Sequence, residues 1–582
     1  MSDAPNRLRL LSIAIFLFAL FLIGRLYYLQ VVDSGTYKIK AEHQYVAGAN
    51  FFNRGSIFFS AKDGSEVPAA SLKTGFILSI NPEILTKSGA NLEEVYSKIN
   101  SIYPLEKIDF LFKAQKTKDP YEVLANHLDV GIADKIQALK ISGVSVFEEK
   151  WRVYPGFSMA SHTIGFMGYK GDDLAGRYGL ERYYEPVLVR SGDGAYVNFF
   201  AEIFSDIKKS VTSGQSLEGD IVTTIEPSVE SFLEQDLVKI NTQYHSEFTG
   251  GIVIDPKTGE IYAMALDPTF DLNNTQKEKN SAIFRNKFVE DRYEMGSIVK
   301  AITMSIGLDS GAVTPQTTYN DPGCLTMNKK TFCNYDGKSH GNNLKMQVIL
   351  DKSLNTGATF VEQQVGNRKF GDYMLRFGMG STTGIDLPNE GNSLVSNLKK
   401  GNDLEYAQAS FGQGIALTPI VTVRALSVLA NGGTLITPHL VKEINYKIGT
   451  SKKISYPLGE QIISQASSEQ ISRMLTEVVD TALKNGQVRL PNYSVAAKTG
   501  TAQLADPSGG YYTDRYLHSF FGYFPSYDPR FLIFLYTYYP KNVQYASETL
   551  TDTFIDMTKF LINYYNIPPD REAPPPPTVH AL

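Results

Sequence analysis

Ser297, Lys300, Ser353, Asn355 and Lys498 are the side chains whose types and spacing could do chemistry together. They fall in three short motifs, in order: Ser297-Ile298-Val299-Lys300, Ser353-Leu354-Asn355 and Lys498-Thr499-Gly500. The chemistry they suit is nucleophilic. A serine hydroxyl attacks poorly until a base takes its proton. On a helix, residues three apart share a face, so Lys300 is expected to reach the Ser297 hydroxyl. A lysine is a base only when neutral, and desolvation or a second cation lowers its pKa. Lys498 is the candidate for that cation. Ser353 offers a hydroxyl that can relay a proton to a leaving amine. Asn355 offers a carboxamide that can hold a substrate backbone amide. The plain alternative for this pair is a polar turn or a helix cap. Lys498, Thr499 and Thr501 offer a cation and two hydroxyls to a substrate carboxylate. Gly500 clears a strand edge so that a peptide can lie flat against it. The backbone N–H groups of Ser297 and Thr501 are candidate oxyanion donors, each typically worth about 10²–10³ in rate. This chemistry requires no metal and no organic cofactor.

Each motif alone is weak. Ser-x-x-Lys recurs at Ser205/Lys208 and Ser396/Lys399, and Lys-Thr-Gly recurs at Lys73 and Lys257. Flanks and local elements must separate them. Gly296 precedes Ser297, and the apolar run IVKAITMSIGL follows it. That pattern sets the serine at a helix start, where free N–H groups and the positive end of the dipole favour negative charge. Residues Tyr493 to Gln503, YSVAAKTGTAQ, read as a strand. The Lys257 copy lies in GGIVIDPKTGEIYAMAL, two β-rich runs around a turn. None of the eight histidines sits in a nucleophile-elbow context, so no Ser-His-Asp triad is expected.

The elements that must position these groups form two expected regions. Residues 35–230 mix short strand-like runs with charged helical stretches and hold no catalytic constellation. Residues 247–565 open on the hairpin just described and close on SFFGYFPSY and RFLIFLYTYYP, with helical patterns between. A sheet that begins and ends a domain, with helices between, is an α+β arrangement. Residues 566–582 form a Pro-rich tail expected to be extended or disordered.

With 582 residues, 43% hydrophobic and 20% charged, there is material for two or three domains and a real core. A net charge of −5 with no basic stripe leaves nucleic-acid binding without its electrostatic footprint. The two cysteines, Cys324 and Cys333, flank eight residues. They can close one local bridge if they lie outside the cytoplasm, or remain two thiols. A zinc site would lack ligands, with only His340 close by.

Leu10 to Gly24 carry no charge; Arg25 follows, and Leu26 to Val32 continue apolar. Residues 10–32 therefore suit a single transmembrane anchor, about 20 residues being enough to span. Arg25 would snorkel to the interface beside Tyr27 and Tyr28. Arg7 and Arg9 place residues 1–9 in the cytoplasm and the rest outside. A cleaved signal peptide would need a nearby small-x-small site, and the first, Ala47-Gly48-Ala49, lies far downstream.

The three motifs in this order resemble those of the penicillin-binding proteins and serine β-lactamases. FRNKFVEDRYEMGSIVKAIT is similar to the family's nucleophile region, with Met295 where Pro is usual and Arg285-Asn286 in reversed order. LDKSLNTGATF, STTGIDLPNE, ASFGQGIALTPI, LANGGTLITPHLV and AAKTGTAQ resemble further transpeptidase segments. Upstream, Asn53-Arg54-Gly55-Ser56-Ile57, Arg152-Val153-Tyr154-Pro155, Ala160 to Gly165 and Gly179-Leu180-Glu181 with Tyr184 resemble the non-catalytic pedestal of class B members. The resemblance implies a pedestal (dimerisation-type) domain, a penicillin-binding transpeptidase domain and a serine D,D-transpeptidase acting on peptidoglycan stem peptides and acylated by β-lactams. No glycosyltransferase domain precedes the pedestal. Ser353-Leu354-Asn355 fits the division (FtsI-like) type, which usually carries S-x-N; elongation-type members usually carry S-x-D. The implied setting is the bacterial cytoplasmic membrane at the septum. The implied partners are a membrane glycosyltransferase of the shape, elongation, division and sporulation class and other division proteins. A β-lactamase or β-lactam sensor is the alternative use of the same acyl-enzyme; a class A hydrolase needs a carboxylate that activates the deacylating water, and Glu390 lacks the expected E-x-x-L-N setting. A purely scaffolding role would leave at least one motif decayed.

Overall fold

The computed structural model describes residues 17, 18, 21, 53–171, 173–190, 218–447 and 449–572. Most of the expected anchor and cytoplasmic tail, the Ser205/Lys208 pair and residues 573–582 lie outside them. Among the described residues, no helix is long and apolar enough to cross a membrane.

Contacts divide the chain into two compact units, and the division is interleaved. Leu72–Arg152 makes up most of the first. Gly55–Ser71, Val153–Val189 and the chain from residue 218 onward make up the second. Strand β1 (Ile57–Ser60) pairs antiparallel with the start of β2 (Glu66–Ile80).

The remainder of β2 belongs to the first unit. Helices α1 (Pro82–Lys87), α2 (Leu92–Asn100) and α3 (Lys107–Ala114) follow it, then β3 (Glu122–Leu128), α4 (Val130–Ala138) and β4 (Val144–Val153). Asn81 and Asn91 cap α1 and α2 by accepting from Ile84 N and Glu93 N. Leu78, Leu85, Ile99, Phe110, Leu128 and Ile136 form this unit's core.

In the second unit, β5 (Gly219–Thr223) runs parallel to β1. Helix α5 (Pro227–Tyr244) begins with Pro at its first turn, where the missing N–H is no loss. A five-stranded antiparallel sheet is built from β6 (Phe248–Ile254), β7 (Ile261–Asp267) and three strands from the far end of the chain. Between them lie α6 (Val299–Asp309), α7 (Asn355–Val365), α8 (Pro419–Ala430), β8 (Val441–Tyr446) and α9 (Gln465–Glu477). Strands β9 (Ala496–Ala505), β10 (Tyr511–Phe524) and β11 (Phe531–Tyr538) complete the sheet in the order β9-β10-β11-β6-β7. Helix α10 (Thr551–Tyr565) packs on the same sheet. The sheet thus joins strands from both ends of residues 248–538, with helices between them in the chain, and the fold is α+β. Every residue of α8 is buried, as are Val299 to Leu308 of α6. Helices apolar all round are central ones.

Three boundaries differ from expectation. The linear split into 35–230 and 247–565 gives way to interleaving, because β1 and β5 pair with each other and β5 pairs with β8. Leu233, Leu237 and Ile240 of α5 join Val253, Ala263 and Ile533 in one core. The expected strand from Tyr493 begins only at Ala496, since Ser494 N donates to Asp570 Oδ1 (2.7 Å) instead of to a neighbouring strand. The same contact docks the first residues of the expected tail. Ile567 is buried, and Arg571 makes a two-pronged ion pair with Asp480 (2.7 and 3.0 Å).

Candidate active site

Ser297 occupies a short turn of 3-10 helix, Gly296–Ile298, that runs into α6. Two glycines let this turn reach β9. Gly296 holds φ at +63°, a region that favours glycine, and an added Cβ would stand 2.8 Å from Thr501 O. At Gly500 a Cβ would meet Ser519 Oγ at 2.4 Å and Met295 O at 2.8 Å. Ser519, directly opposite Gly500 in β10, donates to Met295 O at 2.8 Å. That bond ties the residue two before Ser297 to the sheet. Among the described residues, strand β9 is an edge strand, its outer backbone groups unpaired by any neighbouring strand.

Lys300 is 1% exposed and Lys498 is 3% exposed. Between them stands Ser353, whose Oγ accepts from Lys300 Nζ at 3.2 Å and from Lys498 Nζ at 3.1 Å. Lys300 also donates to the Ser353 carbonyl, and Lys498 to Thr499 O at 3.1 Å. Burial, reinforced by the Lys498 charge, holds Lys300 well below the usual lysine range. Burial brings Lys498 down to about 8, against the pull of Asp351. Ser353 itself has φ of +53°, a conformation that non-glycine residues rarely adopt. Such outliers cluster where geometry serves a site.

The structure thus gathers Ser297, Lys300, Ser353, Lys498, Gly500 and Thr501. One expected contact differs. Lys300 lies three residues after Ser297 as expected, yet its hydrogen bonds go to Ser353. Among the described residues, Ser297 Oγ has no hydrogen-bond partner, and its side chain is partly exposed. The Thr501 hydroxyl accepts from Ala546 N at 3.1 Å, so its own hydrogen is left for another acceptor. Asn355 opens α7, and its Nδ2 donates to Cys333 O at 2.8 Å. Cys324 and Cys333 are joined in a disulfide across a hairpin in which they are directly opposite.

The other copies of the motifs lie elsewhere. Ser396 and Lys399 are exposed, Ser396 just before and Lys399 within the short helix Asn397–Lys400. Lys257 sits in the β6–β7 turn and pairs with Asp528. Lys73 lies in β2, 5.7 Å from the Trp151 ring. Glu390 accepts from Thr383 N (2.6 Å), Thr383 Oγ1 (2.8 Å) and Gly384 N (3.0 Å), the work of a loop staple. Sequence reasoning missed Ser519 and Ala546. Only strand register could have found Ser519, and nothing local marks Ala546.

Residues 249–555 match the penicillin binding protein transpeptidase domain. That is more than half of the chain, which therefore belongs to this family and is a class B penicillin-binding protein. Among its relatives, it is 33% identical over 420 residues to Stage V sporulation protein D of Bacillus subtilis, covering 70% of this chain and 63% of that protein. It is 26% identical over 569 residues to peptidoglycan D,D-transpeptidase FtsI of Buchnera aphidicola subsp. Schizaphis graminum, covering 96% and 94%. Its fold is similar to that of Penicillin Binding Protein 2X from Streptococcus thermophilus, with a TM-score of 0.73 at 20% identity, covering 88% of this chain and 80% of that one.

Proposed function

We propose that the protein is a serine D,D-transpeptidase that cross-links peptidoglycan stem peptides through an acyl-enzyme on Ser297. The observation that carries this is the Ser353 hydroxyl held between two buried lysines beside the nucleophile's turn. Ser297 Oγ attacks the carbonyl carbon of the penultimate D-Ala. Neutral Lys300 accepts the serine proton. Ser353, bonded to Lys300, relays a proton to the amine of the departing D-Ala. The N–H groups of Ser297 and Thr501 receive the developing oxyanion. The amine of a second stem peptide then attacks the ester, loses its proton through the same groups and frees Ser297.

Asn355 holds a donor backbone amide, and Thr499 and Thr501 meet its terminal carboxylate. Lys498 supplies positive charge to that carboxylate from within the wall, since it is buried and committed to Ser353. Penicillins acylate the same serine. The apolar run 10–32 supports a single-pass anchor with the catalytic unit outside the cytoplasm. Ser353-Leu354-Asn355 and the likeness to FtsI support a septal role beside a membrane glycosyltransferase.

The test is the intact mass of the full chain in detergent after incubation with a penicillin, followed by peptide mapping. One adduct on Ser297 is expected. A folded chain with no adduct, or an adduct elsewhere, overturns the reading.

A further inference from the structure

We propose that Asp321 and Asn334 are positioning residues that hold Asn355 and the start of α7 in register for acylation. This rests on the acyl-enzyme reading above. Helix α7 begins without a cap of its own, because its N-cap residue is Leu354, whose side chain cannot accept a hydrogen bond. Its first N–H groups must find acceptors elsewhere. Asn334 Oδ1 accepts from Thr356 N at 3.2 Å and lies 3.2 Å from Thr356 Oγ1. Asp321 Oδ1 accepts from Thr356 Oγ1 at 2.7 Å.

These acceptors are themselves locked. Asn334 Nδ2 donates to both Asp321 oxygens (3.0 and 3.1 Å) and to Lys338 O (3.1 Å). Asp321 also accepts from Gly323 N at 2.9 Å and from His340 N at 2.8 Å. Asp321, Asn334 and Thr356 are 3%, 3% and 2% exposed. Burial works against the Asp321 charge, but the bonds from Thr356, Gly323, His340 and Asn334 outweigh it and keep the carboxyl below its usual range. A carboxylate at this end of α7 also complements the helix dipole.

The bracket reaches the chemistry through one further bond. Asn334 N donates to Gly323 O at 2.8 Å, closing the base of the Cys324–Cys333 hairpin. The carbonyl of Cys333, next to Asn334, takes Asn355 Nδ2 at 2.8 Å. An amide whose nitrogen is committed in this way presents its Oδ1 in a fixed direction, suited to a substrate N–H. Asp321 and Asn334 touch no substrate in this scheme. They set where the Asn355 carboxamide points.

The test measures the acylation rate of the full chain by a fluorescent penicillin at saturation. Asp321→Asn and Thr356→Val are expected to slow acylation roughly ten- to hundredfold, the scale of a small misplacement of a reacting group. Thr356→Ser, which keeps the hydroxyl, restores the wild-type rate. Asp321→Asn combined with Asn355→Ala is no slower than Asn355→Ala alone, because one acts through the other. Leu561→Ala, in the core around α10, is the control for lost stability and leaves the rate unchanged. Multiplying effects in the double variant, or wild-type rates in Asp321→Asn and Thr356→Val, overturn the proposal. Equal slowing by Leu561→Ala overturns it as well. If the unmodified chain is not acylated, the acyl-enzyme reading itself has failed.

Discussion

Two Ser-x-x-Lys tetrads in this chain share a spacing and little else. Ser297 stands in the turn that leads into α6, Lys300 in its buried first turn, and Lys300 faces a second buried lysine across the Ser353 hydroxyl. Ser396 and Lys399 lie exposed, just before and within a four-residue helix. Lys399 stands open to water, with no second buried lysine facing it across a hydroxyl. Burial and the neighbouring charge hold Lys300 well below the usual lysine range. The spacing supplies reach, and the surroundings supply reactivity.

The largest expected effect breaks the comparison at its centre. Ser297→Ala should abolish covalent penicillin labelling while the thermal transition survives, since a partly exposed hydroxyl is removed and no core is opened. Intact mass and calorimetry on the same sample check both halves. Labelling that persists would remove Ser297 as the nucleophile.

Lys498→Ala comes next, with acylation expected to fall by about 10²–10³, the scale of losing a preorganised electrostatic group. The pH profile sharpens the point. Lys498 carries its charge below about 8 and loses it above, so wild-type acylation should decline as pH rises through about 8. It should also decline at low pH, as Lys300 becomes protonated. The upper limb should vanish in Lys498→Ala. Stability has the opposite sign. Between about 8 and 10.5 the folded Lys498 binds fewer protons than the unfolded one, so stability rises with pH across that window. An upper limb retained in Lys498→Ala would assign that limb to another group.

Much of this was legible in the sequence, for definite reasons. The motif residues and the α+β order follow from local pattern: an apolar run after Gly296, a turn at Asp255 to Gly259, and strands at both ends of the catalytic unit. Contacts that bridge long separations were not legible. The interleaved division arises because β1 pairs with β5 from more than a hundred residues away, which no local pattern announces. Asp570, near the chain's end, stops β9 from starting at Tyr493 by taking Ser494 N. The support of α7 by Asp321 and Asn334 was hidden for the same reason. Each reads locally as a polar loop residue.

The disulfide gives an intermediate effect. Thiol counting on the denatured, non-reduced chain should find no free thiol, and two thiols would remove the bridge. Replacing both Cys324 and Cys333 by Ser should lower stability by about 2–3 kcal/mol, the range for a short closed loop. Chemical denaturation of the two forms checks it. A change near zero would mean that hairpin pairing and the Asp321–Asn334 bracket already restrain the segment.

The smallest expected effects belong to the other motif copies, and they decide whether surroundings or spelling confer function. Lys257-Thr258-Gly259 has the letters of the third motif but sits in a hairpin turn, where the Lys257 side chain is 45% exposed and its partner Asp528 is 87% exposed. An ion pair that open to water contributes little, because solvent screens it and two mobile side chains must be ordered to form it. Lys498 occupies the opposite extreme, enclosed in a strand against a second cation. Lys257→Ala and Ser396→Ala should therefore leave the acylation rate unchanged and move the thermal midpoint by no more than about 1 °C. A tenfold loss of acylation in either variant would mean that an exposed copy reaches the substrate. The burial of Lys300 and Lys498 could then no longer be what separates the three gathered motifs from their look-alikes.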